Sequence, residues 1–341
     1  MAVNCAHFIV GGTALLLLLL LVRAGISFGT HGMPIRKALR ARPPPPPAPT
    51  FGCAFGHASS RCPVPNPSST FVYIIITGQF YHRTRVKAML EYVVPHLESV
   101  HIYSDVTAPE YCTTRLALPP ALAAAVDNTT ACRTKSRKRE CAWRHAQSRW
   151  PLGLREAAKA QTSAKWFTLL DDDTFLVAPR LEAALTAFAS RHAAADPLYL
   201  MAGIGWGGGG HFLNRPWVEH FLTRCADMHA SMKSPRGEPM AFAASEVQMR
   251  MCSPAPKGGG ALVQGITELH KIGVLGIHAC DDNTEHPRKA LAALSREHLD
   301  RVVSVCMKPL NEAASTLHAI FYEGDHALLQ SHNLKIAVTV G

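Results

Sequence analysis

Three consecutive carboxylates, Asp171, Asp172 and Asp173, close an apolar run that contains Trp166, Phe167, Leu169 and Leu170. The run has the length and composition of a short buried strand. A strand ending in adjacent acids sets negative charge at the edge of a core. That costs free energy unless a cation or an array of donors meets it. Hard divalent cations such as Mg²⁺ and Mn²⁺ take oxygen ligands, often one or two carboxylates together with substrate phosphates. One reading is therefore a metal–diphosphate site. The other is a solvated acidic turn in which Asp173 or Thr174 caps the next helix. These residues alone do not choose between the two.

The neighbouring segments supply further candidates. Phe71 to Thr77 is rich in β-branched and aromatic residues and reads as a fully buried parallel strand. Its end, Thr77 to Gln79, opens onto a ligand crevice if the sheet is an open α/β sheet. Tyr81 to Val94 reads as a helix that stops before Pro95. Arg83 and Arg85 near its start either reach a diphosphate, with Arg83 assigned to the donor, or are exposed helix residues. Val100 to Ser104 is a second strand, and Asp105 follows it. Residues 106–140 read as irregular, Cys141 to Ala160 as a helix interrupted near Pro151, His286 to Val305 as a helix and Leu334 to Val340 as a terminal strand. Gly203 to Gly210 holds six glycines in eight residues. It lacks the GK[ST] of a phosphate-binding loop and the context of a dinucleotide fingerprint. It reads as a backbone platform for a sugar, with Gly208 and Gly209 in the platform and Trp206 as a stacking surface or a core residue. Glu246 sits among Met240, Phe242, Val247, Met249 and Met251. A carboxyl in such surroundings has a raised pKa suited to a general base, or is a helix-surface glutamate.

Six segments along the chain resemble one family. KWFTLLDDDTFLV (165–177) resembles the aspartate motif of the Fringe-like β1,3-glycosyltransferases, including the core-1 galactosyltransferase group. YIIITGQFYHRTR (73–85) is similar to that family's first strand and the FHKTR-type segment after it, and VHIYSD (100–105) to its second strand. GWGGGGHFLNR (205–215) resembles its glycine-and-aromatic segment. SEVQMRMC (245–252) and LGIHACD (275–281) stand where it has an acidic base motif and a metal-binding histidine. The resemblance implies a GT-A-like α/β fold with a mixed, mainly parallel central sheet. It implies a metal such as Mn²⁺ held by Asp171, Asp173 and His278. It places a UDP-sugar against Thr77, Arg83, Asp105, Asp171, Asp172, Trp206, Gly208 and Gly209, and makes Glu246 the base. The implied reaction moves a hexose or N-acetylhexosamine to a glycan or glycoprotein hydroxyl with inversion, forming a β1,3 linkage. The family carries aspartate where this chain has Glu246, and a different sequence after it. That departure motivates an alternative, a non-catalytic UDP- or glycan-binding relative of the same fold; a metal-dependent phosphoesterase is a third and weaker possibility.

The rest of the chain frames this domain. The net charge is +10, and the excess is concentrated. Arg23, Arg36, Lys37, Arg40 and Arg42 form one cluster, and Arg133, Lys135, Arg137, Lys138 and Arg139 another. No aromatic platform accompanies them, so a solvated loop or an acidic partner is favoured over nucleic acid. Phe8 to Val22 is apolar or small, with leucine at every position from 15 to 21. It reads as a signal anchor or a cleaved signal peptide within residues 1–28. The positive charges follow the run rather than precede it. The resemblance implies the anchor: a single-pass type II protein of the Golgi or ER membrane, secreted if the segment is cleaved. Residues 29–70, with prolines 43–47 in a row, read as an extended stem, and residues 71–341 as the catalytic domain. There are ten cysteines. Cys132 and Cys141 match the spacing of a Fringe-like pair, and Cys252 with Cys280 is a second candidate bridge. Asn128-Thr129-Thr130 is a glycosylation acceptor sequence.

Overall fold

The computed structural model describes residues 62–134, 138–201, 209–225, 266–279, 299–307 and 310–324. Its centre is strand β1 (Phe71–Ile76), six residues that are all buried. Residues Phe71, Tyr73 and Ile75 face one core, and Val72, Ile74 and Ile76 face another, as the two-residue period of a strand requires. Burial on both faces explains why the strand is uniformly apolar rather than alternating. Parallel neighbours flank it: β2 (Val100–Ser104) on one side and β4 (Trp166–Asp171) on the other.

These belong to a seven-stranded sheet of order β3-β2-β1-β4-β7-β6-β8, with β3 at Thr114–Arg115, β6 at Tyr199–Met201, β7 at His211–Asn214 and β8 at Ile266–Glu268. Only β7 runs antiparallel to its neighbours, β4 and β6. A second sheet joins β5 (Thr174–Leu176), β10 (Val302–Met307) and β9 (Leu275–Ala279) in that order. The sheets are therefore mixed and the larger is mainly parallel, as expected. Helices α4 (Lys138–Ala160) and α6 (Arg215–Arg224) cover one face of the large sheet. On the other face pack α1 (Lys87–Tyr92), α5 (Ala178–Ala189), α7 (Leu310–His318) and β10. Between the second and fourth strands lie α2 (Pro120–Asp127) and α3 (Thr130–Arg133).

Several expectations need correction. The segment 106–140 is not irregular, since it holds β3, α2 and α3. The alanine-rich α2 opens on proline, a good first-turn residue, but is too short for periodicity to show. The helix expected across Pro151 is not interrupted: α4 runs through it. Trp150, Leu154 and Ala157 bury one side of α4 against β1, and that packing outweighs the missing amide. The end of the helix expected over 286–305 is instead β10, a buried β-branched run that periodicity alone does not separate from a helix. The segment after β1 is a π turn (His82–Val86) before α1 rather than one helix. The strand expected at 334–340 lies outside the described residues.

Disulfide Cys132–Cys141 forms as the resemblance implied, and Cys62–Cys112 is a second bridge. Cys225 and Cys306 are also disulfide-bonded. The Cys252–Cys280 pairing lies outside the described residues. Among the described residues no helix is long and apolar enough to cross a membrane, and the apolar N-terminal segment is not among them.

Candidate active site

The chain leaves β1 toward β2 on one side and later returns to β4 on the other, so the carboxyl ends of β1 and β4 form a switch point in strand order. Crevices at such points are where open α/β sheets hold ligands. Ile76 is in register with Asp171, which brings the ends of the two strands together. Asp171 closes β4 in the large sheet, and Thr174 opens β5 in the small one. The three aspartates are thus the corner at which the chain passes between sheets.

Asp172 and Asp173 are 4% and 5% exposed, which decides against a solvated turn. They do not cap a helix either, because the N-cap position of α5 is Val177. Buried carboxylates need partners, and the ends of neighbouring elements supply them. The Thr77 hydroxyl donates to Asp172 Oδ2 at 2.6 Å. Arg85 Nη1 lies 2.8 Å from Asp172 Oδ1 and 3.0 Å from Asp173 Oδ2, and the guanidinium rests 4.0 Å from the centroid of the Tyr81 ring. Burial opposes the charge on Arg85, but Asp173 and Asp172 outweigh it and hold its pKa above the ordinary value. The sulfur of Cys306 is 3.6 Å from Asp173 Oδ1.

Asp105 stands beside this cluster at the end of β2. Its Oδ1 accepts from the Gln79 amide at 2.7 Å and from the Ser104 hydroxyl at 2.9 Å. Burial raises its pKa, but these two donors, with Arg149, outweigh that and leave it below the ordinary carboxylate value. His82 Nε2 shares the Ser104 hydroxyl at 2.8 Å. Burial pushes the His82 imidazole down, against the pull of Asp105, Asp172 and Glu110.

The expected residues are therefore distributed as follows. Thr77, Asp105, Asp171, Asp172 and Asp173 gather at the ends of three adjacent parallel strands. Gly209 lies two positions before His211, the register partner of Leu169, and so stands beside the end of β4. Gly210 follows with φ +107°, and a Cβ there would sit 2.9 Å from Leu170 Cδ2, so glycine is required for this approach. His278 in β9 pairs in register with Cys306, which pairs with Thr174. The small sheet thus sets His278 on the same row as the residue after Asp173. Arg83 is exposed and takes no part in the cluster. Arg85 does so instead, because residues two apart on a helical turn point different ways. Trp206, Gly208 and Glu246 lie outside the described residues.

The donors at the corner are hard carboxylate oxygens with one cationic group, Arg85, already between two of them. That chemistry suits a hard divalent cation. Among the described residues, the only three-ligand grouping of metal-binding types is Cys132, Cys141 and His145. It is excluded as a metal site, since the two sulfurs are bonded to each other.

A family model described as Fringe-like matches residues 68–200. The likeness is confined to that stretch. The matched part contains β1, β2, β4, the three aspartates, Arg85 and Asp105. The match supports a glycosyltransferase. A solved structure of a glycosyltransferase involved in the glycosylation of the major capsid of PBCV-1 is similar at 16% identity and a TM-score of 0.36, over 73% of this chain and 99% of that one. No curated protein matches the chain.

Proposed function

We propose that this protein is a metal-dependent inverting glycosyltransferase that moves a hexose or N-acetylhexosamine from a UDP-sugar to a glycan or glycoprotein hydroxyl, forming a β1,3 linkage. The observation that carries the reading is the buried pair Asp172–Asp173, set by Thr77 and Arg85 at the carboxyl ends of β1 and β4 within the Fringe-like match. Asp171, Asp173 and His278 would hold a divalent cation such as Mn²⁺, which when bound supplies positive charge for the departing diphosphate. Arg85 adds a second positive charge at the same corner. Asp105, fixed by the Gln79 amide and Ser104, is placed to accept from a ribose hydroxyl, and Thr77 orients Asp172 toward the donor. The Gly209–Gly210 backbone and Trp206 give the sugar a surface. Glu246 takes the proton of the acceptor hydroxyl as that oxygen bonds to the anomeric carbon and the carbon–oxygen bond to UDP breaks. One displacement inverts an α-linked donor to a β-linked product.

The apolar N-terminal segment and proline-rich stem fit a type II membrane protein of the ER or Golgi with a lumenal catalytic domain. The disulfides, Cys62–Cys112 and Cys132–Cys141 among them, fit an oxidising compartment. A second reading has its own support. Arg85 already neutralises part of the Asp172–Asp173 charge, as a protein that binds UDP or glycan without turnover would tolerate.

Purified full-length chain, a panel of UDP-sugars, Mn²⁺ and mixed glycan acceptors separate the readings. Acceptor-dependent UDP release, a product heavier by one sugar and loss of both in Asp173→Asn are expected for the transferase. UDP binding with no release under any combination establishes the non-catalytic reading. Release without an acceptor product indicates hydrolysis.

A further inference from the structure

Away from the aspartate corner, two imidazoles face each other. His96 Nε2 and His318 Nε2 are 3.1 Å apart. His96 ends the turn after α1, and His318 closes α7. Tyr322 packs against both rings, with its centroid 5.4 Å from that of His318. His96 stacks on Tyr322 with centroids 3.7 Å apart and planes 12° from parallel. The Tyr322 hydroxyl is fixed in turn: it donates to Leu176 O at 2.9 Å and accepts from the Ala178 amide at 3.2 Å. His318 Nδ1 lies 3.2 Å from Glu323 Oε1.

That carboxylate favours the proton on His318 Nδ1, which leaves Nε2 with its lone pair directed at His96. The two rings then share one proton through His96 Nε2. When His96 carries its proton on Nδ1 instead, the two Nε2 atoms present unprotonated lone pairs 3.1 Å apart. Imidazole nitrogens bind zinc-like cations at about 2.0–2.1 Å, so two of them 3.1 Å apart subtend about 95–100° at the metal. This lies between the octahedral and tetrahedral values. The Glu323–His318 contact has the form of the outer carboxylate that orients a metal-binding histidine. The His318 side chain keeps 23% of its exposure, so water has access to the remaining positions.

We propose that His96 and His318 form a two-histidine site for a borderline divalent cation of the Zn²⁺, Co²⁺, Ni²⁺ or Cu²⁺ class, clamping the turn after α1 to α7. Imidazole favours these ions over Mg²⁺ and Mn²⁺, which separates this site from the carboxylate corner. Neither the site nor its test depends on glycosyl transfer.

The test is a Co²⁺ titration of chelator-treated full-length chain, read by visible absorption and calorimetry. Wild type should bind a Co²⁺ with imidazole-type spectral features beyond any taken up by the carboxylate corner, and Zn²⁺ should raise its melting temperature. His96→Gln and His318→Gln should lose this Co²⁺ and the gain in melting temperature, and Glu323→Gln should bind it about tenfold more weakly. Zinc-edge X-ray absorption on wild type should show two imidazole scatterers, and it gives an answer even if a histidine variant fails to fold. Unchanged Co²⁺ binding in folded histidine variants, or an all-oxygen zinc environment, would overturn the proposal.

Discussion

Arg85 is the residue on which the carboxylate corner turns. Its guanidinium bonds both Asp172 and Asp173, and its side chain is 12% exposed. Removing a cation from between two buried carboxylates costs about 3 kcal/mol. Arg85→Ala should therefore melt well below wild type in the presence of a chelator. If the same oxygens hold a divalent cation, Mn²⁺ should restore much of the lost stability. Melting curves with and without Mn²⁺ read both effects, and an unchanged melting temperature in chelator would contradict the pairing. The acids were legible in the sequence as a candidate site because three carboxylates at the end of an apolar run need either solvent or a cationic partner, and the burial of Asp172 and Asp173 decides against solvent. The choice of Arg85 over Arg83 was not, because it depends on how the π turn over 82–86 directs each side chain.

At the scale of elements, the site depends on close packing behind it. Helix α4 approaches β1 and β2 through Gly153, where a Cβ would lie 2.9 Å from Ile76 Cδ1 and 3.1 Å from Tyr103 Cδ2. Ile76 is the residue just before Thr77, so displacing it moves the strand end that bonds to Asp172. Gly153→Val should cost about 1–3 kcal/mol by overpacking and lower site occupancy by UDP. Chemical denaturation and UDP titration of the variant check this; wild-type values in both would show that the helix has room to retreat. The strands that build the corner, β1, β2 and β4, were readable as buried β-branched runs. Strands β5, β7 and β8 were not, because each has only three or four residues and its pairing is set by distant partners. Strand β10 was misread as helix for the reason that makes β1 readable: a buried strand has no alternation to mark its period.

For the whole molecule, pH couples to folding through buried imidazoles. Burial lowers the pKa of His82, His96 and His101 from the ordinary 6.5. His101 Nε2 is also 3.3 Å from the Gln161 amide nitrogen, a contact that requires an unprotonated acceptor there. Such groups bind fewer protons folded than unfolded, so stability is full above pH about 6.5 and falls as pH drops through the window beneath it. The melting temperature should fall from pH 7 to pH 5.5, and fall less in His101→Gln. An equal fall in the two proteins would remove His101 from this linkage. The ordering of the fold, a mainly parallel sheet with acids at a strand end, was legible from the sequence and the family resemblance together. The passage from one sheet to the other at Asp171–Thr174 was not, since it requires knowing that β5 pairs with β10.

The central claim is that the aspartate corner binds UDP through a divalent cation. Calorimetric titration of UDP into full-length protein, with Mn²⁺ and with chelator, and into Asp173→Asn with Mn²⁺, tests it most directly. The prediction is tight binding only to wild type with Mn²⁺, weakened by about 100-fold or more in the other two cases, the scale of losing a key charge-stabilising group. Equal affinity in all three titrations would show that UDP binds elsewhere or without the metal, and would contradict the account.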